Sequence, residues 1–268
     1  MSNYWQNKVA IVTGASTGLG FAIAEALAIA GARVVLAART ADTLNAAADA
    51  LRSKGADVLA VPTDVTHQND VEALVQGTLE KFGRIDALVN NAGKSMRRWA
   101  LETTPEDFRE QFELNVIAAV RTTRAAASHL IASNGHLVNI ASLAGKAPAR
   151  YMGAYGPSKA ALIAYTQQLR LEVGDQGPHV LLVCPGPVER RGPPPPPEPD
   201  LSRLPSSAAK PGGGVKTKAV SPEWLASAIL DACEHRRSEL VVPSAARLVL
   251  AAMQLSPRLG DFLIRKLS

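Results

Sequence analysis

The chain of 268 residues is 47% hydrophobic and 20% charged, a balance that buries a sizeable core and excludes disorder as a whole-chain description. Two cysteines exclude a disulfide scaffold and suit a reducing compartment. The net charge of +5 fits an anionic ligand, but Lys and Arg are scattered and not striped along one helix, so no nucleic-acid partner is expected. Met1 to Lys8 is polar, and no apolar run reaches the roughly 18 residues of a membrane span; the expectation is a cytoplasmic protein without a targeting peptide.

In chain order, Val9–Thr13 is a short continuous apolar run, the pattern of a strand buried on both faces. An Ala- and Leu-rich helix follows from Phe21 to Ala30, closed by Gly31, and then a strand at Arg33–Ala38. The beat repeats: helix from about Ala41 to Lys54, strand Val58–Val61, helix from about Asn69 to Phe82, strand Ala87–Asn90. One long helix is predicted from about Pro105 to Ala132, then strand His136–Ile140, helix from about Ser158 to Gly174, and strand Val180–Val183. A helix opened by Ser221-Pro222 precedes a seventh strand at Glu239–Val242. Strands alternating with helices imply right-handed crossovers, so the expected fold is α/β: a doubly wound, Rossmann-type parallel sheet of about seven strands in a single domain over residues 1–243.

Two stretches break the rhythm. Between Gly192 and Gly214, 12 of 23 residues are Pro or Gly, which rules out a regular helix or central strand and leaves a disordered surface insertion or a mobile lid. After Val242, residues 244–268 read as a helical extension, with Leu248, Ala252, Leu255, Leu259 and Leu263 at helical spacing and Arg247, Arg258, Arg265 and Lys266 beside them. Its roles stay open among covering the cleft, packing on another subunit and peripheral contact with a membrane surface.

Thr13-Gly-Ala-Ser-Thr-Gly-Leu-Gly20 lies where the first strand turns into the first helix. Gly14 permits the tight turn, Gly18 lets backbone approach a diphosphate, and Gly20 lets helix pack on strand; the helix N-terminus then offers free N–H groups to phosphate. The spacing Thr-Gly-x-x-x-Gly-x-Gly resembles the short-chain dehydrogenase/reductase family, over about residues 6–242. That resemblance implies that Gly14, Ser16, Thr17, Gly18, Leu19 and Gly20 hold a nicotinamide dinucleotide. It also implies that Asp64 and Val65 bind adenine, that Asn91 in Asn90-Asn91-Ala92-Gly93 touches the ribose and steadies the central strand, and that Val188 in Pro185-Gly186-Pro187-Val188 borders the nicotinamide. Glu189-Arg190-Arg191 stands where the family commonly has a Thr, which departs from the pattern.

At the end of the second strand Ala37-Ala38-Arg39-Thr40 carries no carboxylate to hydrogen-bond a ribose, and the Arg39 fork suits a 2′-phosphate. NADP(H) is therefore the expected cofactor, with NAD(H) as the alternative; no metal is expected. Tyr155 and Lys159 are four apart, on one helix face, where an ammonium lowers a phenol's pKa and makes it a usable general acid/base. Ser142 follows the strand ending at Ile140, so it belongs at the carboxyl edge where ligands bind. The resemblance makes Ser142, Tyr155 and Lys159 catalytic, and adds Asn115 as the anchor of a water beside the lysine. The implied reaction is hydride transfer between NADP(H) and a carbonyl or secondary alcohol, on a ketone, a hydroxysteroid-like or a 3-oxoacyl compound, in a homodimer or homotetramer. A catalytically weak nucleotide-binding sensor or scaffold on the same fold is the competing reading. Lys94, Arg97 and Arg98 are candidates for the pocket rim, and Trp99, Tyr151 and Met152 for its apolar lining.

Overall fold

All five residues of β1 (Val9–Thr13) are buried, and their side chains alternate between two apolar layers: Ala10 and Val12 on one face, Val9 and Ile11 on the other. A strand buried on both faces has to be sandwiched by helices, and that requirement sets the architecture. The structure is a computed structural model that describes residues 3–189, 204–205, 208 and 218–267, without the side chains of residues 257, 265 and 267. Strands β1, β2 (Arg33–Ala38), β3 (Val58–Pro62), β4 (Ala87–Asn90), β5 (His136–Ile140), β6 (His179–Pro185) and β7 (Glu239–Val242) form one parallel sheet in the order β3-β2-β1-β4-β5-β6-β7. The chain winds outward in both directions from the β1/β4 junction, so the crevice for a ligand opens at the carboxyl ends of those two strands.

Helices α1 (Gly18–Ile29) and α2 (Ala41–Arg52) cover one face of the sheet, and α3 (Gln68–Phe82) covers the other. The expected α1 began at Phe21; it begins at Gly18, because the glycine turn winds directly into the first helical turn. The helix expected from Pro105 to Ala132 is broken into α4 (Pro105–Phe112), a π-turn at Glu113–Ile117 and α5 (Ala118–Ala132). A π-turn inserts one residue and redirects a side chain, here carrying Asn115 into the interior. After β5 comes the short α6 (Leu143–Lys146), and then α7 (Tyr155–Val173), which starts three residues earlier than the expected Ser158. Pro157 is tolerated there because first-turn N–H groups have no helical acceptor. Helix α8 (Pro222–Glu234) packs with α1, and α9 (Ala246–Leu255) with α10 (Pro257–Leu267) forms a hairpin beyond β7. Of the Pro/Gly-rich stretch only Leu204, Pro205 and Ala208 are described, so the choice between insertion and lid lies outside the described residues, as does the Arg265 side chain.

Candidate active site

The loops at the carboxyl ends of β1, β4, β5 and β6 converge on one cavity of about 910 Å³. Thr13 ties the first two together: its hydroxyl donates to Val89 O (3.2 Å) and accepts from the Asn91 and Ala92 amides (3.0 and 3.1 Å). Asn91 Nδ2 returns the tie, donating to Thr13 O at 2.9 Å and Gly14 O at 3.2 Å. Thr13 was not among the expected site residues; its signal was a hydroxyl closing an otherwise apolar strand.

The glycine turn is shaped for an anion. Gly14 and Gly18 take φ of 65° and 58°, and a Cβ on Gly20 would strike the Gly14 carbonyl. Around a Cβ placed on Gly18 there is open space, and the capping residue Thr17 makes no side-chain bond to the helix start, so the first N–H groups of α1 are left uncapped by that side chain. The turn is joined to the end of β2 through Ala15 N and Ala37 O (3.2 Å), which brings Ser16 and exposed Thr17 to the same edge as exposed Arg39. Asp64 Oδ1 accepts from the Thr66 amide (2.9 Å) and hydroxyl (2.6 Å). Burial opposes the charged Asp64, but Thr66, with Arg39 and His67 beyond, offsets it and holds the carboxyl below its ordinary range. Val65 is buried and its carbonyl is fixed by Arg121 Nη1 at 3.0 Å.

Ser142, Tyr155 and Lys159 all line the cavity, together with Leu19, Asn91 and Val188. Ser142 caps α6, accepting from the Ala144 amide at 3.1 Å, and its hydroxyl favours the charged form of the Tyr155 phenol. Lys159 Nζ donates to Ile140 O at 2.8 Å and sits 5.9 Å from the centre of the Tyr155 ring. Burial raises Tyr155 above its usual value, and the pull in the other direction comes from Ser142 and the Arg97 charge. Burial brings Lys159 down to about 8.

Asn115 does not line the cavity but is buried behind it. Its Nδ2 donates to Gln111 Oε1 (2.9 Å), Ser158 Oγ (3.1 Å) and Lys94 O (3.1 Å), and its Oδ1 accepts from the Lys94 amide (3.0 Å). A Cβ on Gly93 would lie 2.7 Å from Asn115 Oδ1 and 3.4 Å from Lys159 Nζ, so the two side chains face one spot where only glycine fits. Of the candidate rim cations, Lys94 and Arg97 line the cavity, whereas Arg98 pairs with Asp107 at 2.7 Å. Met152 lines it too; Trp99 and Tyr151 instead stack edge to face, 4.8 Å apart. Val188 is fixed by Val220 N to Pro187 O and Glu189 N to Val220 O, both 2.9 Å, and Glu189 also lines the cavity.

The short chain dehydrogenase family profile matches residues 8–191, spanning every strand from β1 to β6 and the Ser142, Tyr155 and Lys159 positions. The chain belongs to this family. As a short-chain dehydrogenase/reductase it is an oxidoreductase that works with a nicotinamide dinucleotide. It is 32% identical over 265 residues to the ketoacyl reductase HetN of Nostoc sp., covering 96% of this chain and 88% of that protein. Among solved structures it is similar to a short chain dehydrogenase/reductase of Burkholderia phymatum in complex with NAD, with a TM-score of 0.84, 29% identity, and coverage of 97% and 96% of the two chains. L-Sorbose reductase of Gluconobacter frateurii, complexed with NADPH and L-sorbose, matches with a TM-score of 0.76 and 32% identity over 88% of this chain and 95% of that one.

Proposed function

We propose that this short-chain dehydrogenase/reductase is an NADP(H)-preferring reductase of carbonyl groups carried on apolar bodies, running reversibly with the corresponding secondary alcohols. The observation that carries the reading is the meeting of Ser142, Tyr155 and Lys159 in a cavity whose walls include Leu143, Met152, Val249, Leu250 and Ile264. When bound, the reduced nicotinamide supplies the hydride. Ser142 holds the substrate oxygen by a hydrogen bond as charge develops on it, and Tyr155 gives that oxygen its proton. A phenol raised by burial is protonated at neutral pH, which suits the reducing direction. Lys159, with one donor spent on Ile140 O, has two left for the hydroxyls of a cofactor ribose. Asn115 acts as a positioning residue: its amide is engaged on four sides and holds the loop at Lys94 in place.

The turn from Gly14 to Gly20 cradles the diphosphate, and Asp64, Val65 and Asn91 flank the adenosine. Arg39, with Ser16 and Thr17 on the same edge, supports the preference for a 2′-phosphate, since no carboxylate stands there to bind a bare ribose. Lys94 at the rim favours substrates with an anionic end, 3-oxoacyl compounds among them. The test is oxidation of NADPH and NADH across short and long ketones, aldehydes and 3-oxoacyl thioesters, with a no-substrate control. Turnover with apolar carbonyls and NADPH supports the reading; tight NADPH binding without turnover on any of them supports the sensor or scaffold instead.

A further inference from the structure

The α9–α10 hairpin has two apolar faces. The inner one, with Ala246, Val249, Leu250 and Ile264, walls the active-site cavity. The outer one exposes large apolar side chains: Leu248 by 78%, Leu255 by 87%, Leu259 by 44% and Phe262 by 61%. Leu248 and Leu255 are two turns apart on α9, and Leu259 and Phe262 are one turn apart on α10, so each helix presents a stripe. Beside these stripes stand exposed Arg247 and Arg258, against one exposed acid, Asp261. Among the described residues no helix is long and apolar enough to cross a membrane.

We propose that the outer face of this hairpin docks on an anionic lipid bilayer, lying in the interface without spanning it. The occupant follows from charge. An apolar stripe with a basic border matches the acyl boundary and headgroups of an anionic leaflet. A second copy meeting this face about a twofold axis would bring the same basic border against itself. The position of the hairpin gives docking a consequence: the wall of the cavity rests at the surface where apolar carbonyl compounds are dissolved.

The full chain is tested by co-sedimentation with phosphatidylcholine vesicles containing about 30% phosphatidylglycerol, and with pure phosphatidylcholine vesicles. Binding is expected to the anionic vesicles, weaker to the neutral ones and reduced by added salt. Leu255→Ser with Phe262→Ser should lower the partition coefficient at least about tenfold. These two side chains do not line the cavity, so turnover of a water-soluble ketone should stay intact and reports that the variant is folded. Absence of binding by the native chain overturns the proposal, as does equal binding by the double variant. Sedimentation velocity supplies the remaining arm: a native dimer that the double variant splits, with no vesicle binding, would assign the face to self-association and overturn the proposal. Failure here leaves the carbonyl-reductase reading untouched, because that reading is judged by turnover in solution.

Discussion

Asn115 and Lys94 are joined twice, amide to carbonyl in each direction, at 3.0 and 3.1 Å. The π-turn in the helix after β4 therefore acts as a clamp on the loop that leaves β4, and that loop forms one rim of the cavity. Asn115→Ala should loosen this rim and leave Gln111 and Ser158 short of a buried partner, a loss of about 1–3 kcal/mol of stability. Turnover should fall while the affinity for cofactor changes little. Urea unfolding and steady-state kinetics of the same preparation check both; unchanged stability would show that the clamp is dispensable.

Arg39 is expected to act on one cofactor only. Arg39→Ala removes a charge-assisted contact of about 1.5–3 kcal/mol with the 2′-phosphate and nothing comparable with a ribose hydroxyl. The preference for NADPH over NADH should drop about ten- to a hundredfold. Titration of native and variant chains with both reduced cofactors at fixed salt measures it. Equal losses for the two would assign Arg39 to structure, and a native preference for NADH would remove the NADP assignment.

Lys159 gives the reaction a pH signature. Its folded pKa is lowered by burial to about 8, so the ammonium is present below that pH and is lost above it. Tyr155, raised by burial, keeps its proton through the same interval. Carbonyl reduction at saturating cofactor should hold steady at neutral pH and decline as pH passes about 8. A rate that is flat up to about pH 10 contradicts the role given to the lysine.

A second pH effect belongs to the opposite edge of the sheet. Tyr4 Oη meets His136 Nε2 at 2.6 Å, His136 Nδ1 meets His179 Nδ1 at 2.8 Å, and His179 Nε2 meets Arg237 O at 2.8 Å. The carbonyl only accepts, so with both rings neutral each N–H is assigned: His179 donates to Arg237, His136 to His179, and Tyr4 to His136. Burial pulls both imidazoles below their ordinary value, His136 to about 3. In the unfolded chain each takes a proton near pH 6.5, so the stability held above that pH is lost progressively as pH falls toward about 3. The urea midpoint should drop between about pH 7.5 and 5, and substituting His136 and His179 together should flatten that slope.

The sheet was legible because buried parallel strands are short continuous apolar runs, and β1, β2, β4 and β5 begin and end where those runs do. The glycine turn and the Ser142, Tyr155 and Lys159 set were legible because their chemistry depends on residue type and local spacing. What the sequence did not show came from contacts between distant segments. The π-turn at Asn115 answers to Lys94, 21 residues away, and the upward shift of the Tyr155 pKa answers to burial, which no local spacing encodes. The His136–His179 relay spans 43 residues and has no local pattern at all. The Leu repeat of the tail was visible, but not that α9 and α10 would turn Ala246, Val249, Leu250 and Ile264 inward and leave Leu255 and Phe262 outside.

Proton transfer by Tyr155 is the centre of the account, and single-turnover oxidation of bound NADPH by an apolar ketone tests it most directly. Tyr155→Phe removes the transferable proton and almost no volume, so NADPH affinity should be unchanged while the rate falls by about 10²–10⁴-fold, the usual contribution of a positioned general acid. Ser142→Ala should follow in the same direction with a smaller loss, since it removes one hydrogen bond to the oxygen. A Tyr155→Phe chain that binds NADPH normally and keeps more than about a tenth of the native rate would contradict the assignment of Tyr155 as the acid.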